Sequence, residues 1–321
     1  MLELCIFHKH CTLDEYTGGR KIVVGGRGSE LSMIQNNIVA KKLKEADSSL
    51  EITIERIKTL NEKIDRSKET RTEKDIYTKE IDAALADGSI DIAVHSLKDL
   101  NLVLPKGIAI GAIADRDDPR DAFVSRDGRP FESLEAKSLV GTSSIRRKAQ
   151  LFALNPSPEV VDLHGNIDSR LRKLDDGALD GIAVAAAGLK RLGVSSAVQY
   201  FGVEQMVPAI GQGAIAVTAM EDNRSIMELL GSISIGSASI ETEAEREFGM
   251  VFGVGCSAPI GANATLKGGR LSMVGFVSDR LGRRVLKSSI EGSAAEAKQL
   301  GRGLAERMIA MGGGELVGRE E

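Results

Sequence analysis

The chain has 321 residues, room for two or three domains, with 42% hydrophobic and 27% charged residues at a net charge of -4. That balance excludes a generally basic nucleic-acid binder, though not a local basic cleft, and no run is apolar enough for a membrane span. Aromatics at 3% leave few stacking platforms for bases, and the 3 cysteines fit a reducing cytoplasm better than a disulfide framework.

Residues 1–19 read as a flexible extension, without the basic start and apolar core of a signal peptide. Cys5, His8, His10 and Cys11 are metal-ligating types, but no second ligand pair follows at a suitable spacing, so no metal site is expected. Residues 21–24 form a strand. Gly25-Gly26-Arg27-Gly28-Ser29 then turns into a helix with Leu31, Ile34, Ile38 and Leu43 at helical spacing. Such a turn exposes backbone N–H groups at a helix N-terminus, and Arg27 adds a fork suited to carboxylates. Residues 51–57 alternate as a second strand. Residues 61–74 are dense in charge and read as a loop, and residues 76–86 are a helix that ends at Gly88.

Residues 91–99 follow. Asp91-Ile92-Ala93-Val94 begins a short apolar run, expected as a buried parallel strand, and His95-Ser96-Leu97-Lys98-Asp99 continues it into a polar end. Ligands bind beyond the carboxyl ends of strands in open α/β sheets, so Lys98 and Asp99 are either a solvated surface pair or a cation and an anion at a cleft edge. Residues 108–113 are another strand. Asp115-Arg116-Asp117-Asp118-Pro119-Arg120-Asp121 reads as a charged connector at a domain boundary.

Beyond it the same logic repeats. Leu139-Val140-Gly141-Thr142-Ser143-Ser144 runs from strand into polar turn, and residues 145–153 are a helix with Arg146 and Arg147 in its first turn. Two cations there oppose the macrodipole at several tenths of a kcal/mol each. They are either an ordinary solvated pair or the seat of an anionic ligand that offsets this cost. Residues 159–163 are a strand leading to His164-Gly165-Asn166 and a helix bearing Arg170. Residues 181–185 are a strand leading to Gly188-Leu189-Lys190-Arg191. Pro208-Ala209-Ile210-Gly211-Gln212-Gly213 marks a return crossing into a strand at 214–219 that re-enters the first domain. Two α/β lobes joined by two crossings make a hinged cleft, as in periplasmic binding proteins. A helix from Glu241, strands at 262–266, 271–278 and 284–290, and a helix over 294–311 form a small α+β unit. The expected division is an α/β domain of 20–114 with 214–234, a second α/β domain of 118–209, and an α+β domain of 237–321.

Six segments in this order resemble the porphobilinogen deaminases, also called hydroxymethylbilane synthases, from Lys21 to the C-terminus. They are His95-Ser96-Leu97-Lys98-Asp99, Asp118-Pro119-Arg120-Asp121-Ala122-Phe123, Gly141-Thr142-Ser143-Ser144-Ile145-Arg146-Arg147, Gly188-Leu189-Lys190-Arg191-Leu192-Gly193, Pro208-Ala209-Ile210-Gly211-Gln212-Gly213, and Gly255-Cys256 with Pro259-Ile260-Gly261. The resemblance implies a transferase of tetrapyrrole biosynthesis. It would join four porphobilinogen molecules head to tail, losing ammonia each time, on a dipyrromethane cofactor held by a thioether to Cys256. Each pyrrole carries an acetate and a propionate, and arginine suits such carboxylates.

By resemblance, Asp99 is the catalytic carboxylate, beside an azafulvene-like cation. Lys98, Ser143, Ser144, Arg146, Arg147 and Arg170 hold the cofactor. Arg27, Ser29, Gln35, Tyr77, His164 and Arg191 hold substrate. A cytoplasmic monomer without nucleic-acid or membrane partners is expected. Three departures from the family pattern stand out. Arg71-Thr72-Glu73-Lys74-Asp75-Ile76-Tyr77 lacks paired glycines, Glu62 stands for an aspartate, and His164 stands for an arginine. Two other classes share the two-lobed shape. A binding protein for an anionic small molecule would need neither Asp99 nor Cys256, and a DNA-binding regulator would need a helix-turn-helix that residues 1–20 are too short to hold.

Overall fold

The computed structural model describes residues 20–58, 75–196, 198–253 and 258–318. The first lobe opens with β1 (Lys21–Gly26), α1 (Glu30–Ala46), β2 (Glu51–Arg56), α2 (Asp75–Ala86), β3 (Ile92–Ser96) and β4 (Ile108–Arg116). The second holds β5 (Asp121–Ser125), β6 (Leu139–Gly141), α3 (Ile145–Leu154), β7 (Glu159–Val161), α4 (Ile167–Asp175), β8 (Gly181–Ala185), α5 (Ala186–Arg191) and β9 (Val198–Tyr200). The chain then returns to the first lobe as β10 (Ala214–Met220) and α6 (Arg224–Ile233).

The two lobes share one topology. Their sheets run β2-β1-β3-β10-β4 and β7-β6-β8-β5-β9. In each, the first three strands are parallel and the last two antiparallel to their neighbours. The fourth strand is always the one delivered by a crossing from the other lobe: β10 enters the first sheet and β5 the second. The expected parallel β3 is therefore parallel to β1 on one side and antiparallel to β10 on the other. The carboxyl ends of β1, β3, β6 and β8 face the space between the lobes, as an open α/β sheet requires of a ligand site.

Layered packing holds each sheet. Val24, Ile92, Val94 and Val217 pack with Val39 and Leu43 of α1 and Leu230 of α6 on one face, while Ile81 and Leu85 of α2 cover Ala93 on the other. Full burial of such a side chain contributes roughly 1.5–3 kcal/mol. In the second lobe Phe123, Phe131 and Phe201 pack edge to face at centroid distances of 5.5 and 5.9 Å.

The connector at 115–121 is not a solvated stretch. Asp115 and Arg116 continue β4, and Asp121 begins β5 at 0% exposure. The two crossings also lie against each other, with Asp117 N donating to Gly213 O at 3.1 Å. Gly213 has φ +87°, and a Cβ there would collide with the Asp117 carbonyl, so only glycine fits.

The last unit is α7 (Gly236–Phe252), an antiparallel meander of β11 (Ile260–Lys267), β12 (Arg270–Ser278) and β13 (Val285–Ser293), and α8 (Ala297–Met308). Its core includes Phe248, Phe252, Leu271, Leu304 and Met308. A buried node joins it to the first lobe. Arg116 donates to Glu245 at 2.6 Å and Glu241 at 3.2 Å, both on α7. Glu245 also accepts from Gly211 N at 2.7 Å and Ala264 N at 2.8 Å.

Candidate active site

The strand ends converge on a cleft of about 800 Å³ between the lobes and the third unit. On the first lobe, β3 ends in a 3-10 turn, Leu97–Asp99. Leu97 is 1% exposed and packs against Gly211, where an added Cβ would come within 2.6 Å of it. This apolar anchor turns Lys98 and Asp99, both half-buried, toward the cleft. Burial, reinforced by Arg147, pushes the Lys98 ammonium down to about 8, while Asp99 and Asp121 oppose that.

The turn after β1 brings Arg27 and Ser29 to the same wall. Ser29 caps α1 by accepting from Ser32 N. Gln35, one turn further, donates from Nε2 to Ser96 Oγ at 2.8 Å and so ties α1 to the end of β3. His95 is buried with its Nε2 3.1 Å from Thr218 Oγ1, and burial pushes its pKa down to about 4.

The second lobe supplies the facing wall. Ser143 donates to Leu163 O at 2.7 Å, and Ser144 caps α3 by accepting from Arg147 N at 3.3 Å. Arg146 and Arg147 line the cleft, but neither is solvated: they are 4% and 6% exposed. Arg146 forks onto Asp121 at 2.7 and 3.1 Å, and Arg147 Nε reaches it at 2.7 Å. The macrodipole cost expected from two cations in a first helical turn is therefore offset by the protein's own carboxylate, not by a ligand alone. Burial raises the Asp121 pKa, but Arg146 and Arg147 outweigh it and hold the carboxyl well below its usual range. Two guanidiniums against one carboxylate still leave a net positive charge facing the cleft.

His164 is exposed and lines the rim after β7. Asn166 caps α4, and Arg170 lines the cleft with its Nε bound to Gly165 O at 2.8 Å.

Arg191 departs from expectation. It does not line this cleft, and instead donates to Asp115 at 2.8 Å and to Gly213 O at 2.8 Å. It clasps the two crossings, because α5 ends beside β4 and not beside the strand ends. Tyr77 falls in the first turn of α2 with its side chain outside the described residues. Cys256, Glu62 and residues 71–74 also lie outside them.

The sequence singled out no role for Arg246, Lys148 or Gln212. Arg246, on α7, lines the cleft and donates to Asn101 O and Leu102 O at 3.0 and 2.7 Å. Lys148 pairs with Asp162 at 2.9 Å on the second lobe's rim. Gln212, inside the Pro208–Gly213 match, is 1% exposed. Among the described residues, seven Lys or Arg side chains thus line the cleft against two carboxylates, Asp99 and Asp162. In a chain of net charge -4 this is a focused positive field, fitted to a ligand with several carboxylates. Arg forks hold carboxylates in fixed geometry, so this donor set fits the acetates and propionates of a dipyrromethane.

Two family models match the chain. Residues 22–228 match "Porphobilinogen deaminase, dipyromethane cofactor binding domain" and residues 239–310 match "Porphobilinogen deaminase, C-terminal domain". The porphobilinogen deaminase of Syntrophomonas wolfei is 39% identical over 300 residues, covering 93% of this chain and 98% of that one. That of a Roseiflexus species is 40% identical over 298 residues, covering 92% and 98%. A solved extracellular-binding protein of a probable amino-acid transporter from Bacillus subtilis aligns at 13% identity and a TM-score of 0.42, over 67% of this chain and 90% of that one. That last likeness is too slight to bear on the site.

Proposed function

The chain belongs to the porphobilinogen deaminase family, and from that premise we propose how its own residues join four porphobilinogen molecules into hydroxymethylbilane, a linear tetrapyrrole. The observation that carries the proposal is Asp99, one of two carboxylates that, among the described residues, line the cleft beside seven cations, seated on a turn that Leu97 anchors. At each step the aminomethyl group of porphobilinogen takes a proton and leaves as ammonia. What remains is an electron-poor methylene pyrrole whose positive charge needs a nearby anion. Asp99 meets that charge and accepts from pyrrole N–H groups, a preorganised electrostatic contact of the kind worth about 10²–10³ in rate. The attacking pyrrole α-carbon forms the new C–C bond and then releases its proton, for which Asp99 is the acceptor we assign.

Dipyrromethane, when bound, supplies the pyrrole α-carbon on which the chain starts. Lys98, Arg146, Arg147 and Arg170 would hold its acetates and propionates, with Ser143 and Ser144 at the same wall. Cys256 would carry it through a thioether. Arg27, Ser29, Gln35, Tyr77 and His164 would receive the incoming porphobilinogen. Arg191 acts on the hinge in this scheme. We also propose a cytoplasmic monomer that takes no nucleic-acid or membrane partner. In support, cysteines and aromatics are few, and among the described residues no helix is long and apolar enough to cross a membrane.

Asp99→Asn tests the role of the carboxylate, since it keeps the shape and removes the charge. We expect kcat to fall by about 10²–10³ with folding unchanged. Turnover within a few fold of wild type would refute the assignment.

A further inference from the structure

Gln212 sits where both crossings meet the cleft, and every hydrogen-bonding position of its carboxamide is used. Its Oε1 accepts from Lys98 Nζ at 3.3 Å and from Arg147 Nη2 at 3.3 Å. Its Nε2 donates to Pro119 O at 2.7 Å, Arg120 O at 3.2 Å and Asp121 Oδ1 at 3.1 Å. Chemistry dictates this orientation. A reversed amide would set its NH2 group against two cations and its oxygen against three acceptors. Pro119 and Arg120 lie on the first crossing and Gln212 on the second. Lys98 belongs to the turn that carries Asp99, and Arg147 to the facing helix.

We propose that Gln212 is a positioning residue for the reaction: its side-chain oxygen keeps the Lys98 ammonium charged and seated beside the Arg147–Asp121 pair, so that the Asp99 turn is set to receive substrate carboxylates. The proposal rests on the family's activity and on Lys98 as a cleft cation. Lys98 is pressed toward neutrality by burial and by Arg147 and Arg146, while Asp99 and Asp121 work against that. An ammonium in that position depends on each acceptor it has. A carboxylate at 212 would hold it more strongly, but would repel the carboxylates the cleft must bind. A neutral amide supplies the acceptor without the repulsion.

The test is an NMR titration of the protein purified with its cofactor and labelled with [13Cε]lysine. The Lys98 signal is identified by its loss in Lys98→Arg. Gln212→Met keeps the length and removes the acceptor, so the Lys98 midpoint should fall by about one pH unit. Gln212→Glu adds an anion, so the midpoint should rise by about one pH unit. KM for porphobilinogen should rise in both variants. Midpoints that stay put, or that move in the same direction, overturn the proposal, since a merely structural residue would not produce opposite shifts. If neither variant folds, the wild-type Gln212 side-chain amide signals decide, because they should move through the same pH range as Lys98. Amide signals indifferent to that range also overturn it. Failure of the family activity would show separately, as wild-type protein that makes no tetrapyrrole whatever the Lys98 midpoint.

Discussion

Replacing Asp121 by asparagine removes the only carboxylate that the buried Arg146 and Arg147 bond among the described residues, at almost constant volume. Asp121 is 0% exposed and accepts three charge-assisted hydrogen bonds from the two guanidiniums and one from Gln212. Removing one partner of a buried ionic group typically costs about 3–5 kcal/mol, against roughly 0.3–1 kcal/mol for a cation opposing a helix dipole. Pairing therefore outweighs the dipole, and Asp121→Asn should lower the unfolding free energy of the second lobe by about 3–5 kcal/mol at neutral pH. Urea denaturation followed by far-ultraviolet circular dichroism reads this. The depressed pKa sets the pH window. The contribution is fully present above the unfolded aspartate value of about 3.9 and is lost as pH falls through the lower folded value. The gap between variant and wild type should thus hold constant down to about pH 4 and close below it. Arg146→Leu removes two of Asp121's bonds and one to Val207 O, and Arg147→Leu removes one of Asp121's bonds together with those to Gln212 Oε1 and Ala183 O, so both should destabilise, Arg146→Leu more because it takes two of the three guanidinium bonds from the buried carboxylate. An Asp121→Asn variant within 1 kcal/mol of wild type would refute the reasoning.

His95 should make the first lobe acid-sensitive. Its folded pKa is lowered from 6.5 to about 4, chiefly by burial, so the unfolded imidazole takes a proton at a pH where the folded one does not. At about 1.36 kcal/mol per pH unit, stability should drop by about 3 kcal/mol from pH 6.5 to 4, and denaturation of His95→Gln across that range should lack this drop. His164, on the rim, should contact substrate: His164→Ala should raise KM for porphobilinogen several-fold, and His164→Arg, which offers the same carboxylates a fork, should not. An unchanged KM in His164→Ala would remove His164 from substrate binding.

Most of the fold was legible because apolar periodicity marks β1, α1, β3 and α2, and because β10 reads as a strand just past a glycine-rich crossing. Strands β5 and β9 were not. Residues 115–121 read as a charged connector, whereas Asp115 and Arg116 end one strand and Asp121 begins the next, buried by pairing with two arginines distant in sequence, which no local pattern reveals. The same pairing shows that Arg146 and Arg147 are not the solvated pair that was one of the two readings of their place in the first turn of α3. In the cleft, Lys98, Asp99, Ser143, Ser144 and the cations Arg27, Arg146, Arg147 and Arg170 fall together because each follows a strand end. Arg191 also follows a strand end but is drawn away by Asp115, a competing partner that sequence order hides. Gln212 gave no signal of its own, since an uncharged amide earns its place only through partners from both lobes.

The most direct test of the whole account is intact-mass spectrometry of the purified protein before and after porphobilinogen is added, run beside Cys256→Ala. The account predicts that the resting wild type carries one discrete addition of two pyrrole units. Porphobilinogen should then add further pyrrole increments, while uroporphyrin absorbance appears in the oxidised product. Cys256→Ala should carry no addition and make no tetrapyrrole. An unmodified wild-type mass in protein that still makes tetrapyrrole would contradict the cofactor's attachment, and porphobilinogen recovered unchanged would contradict the activity itself.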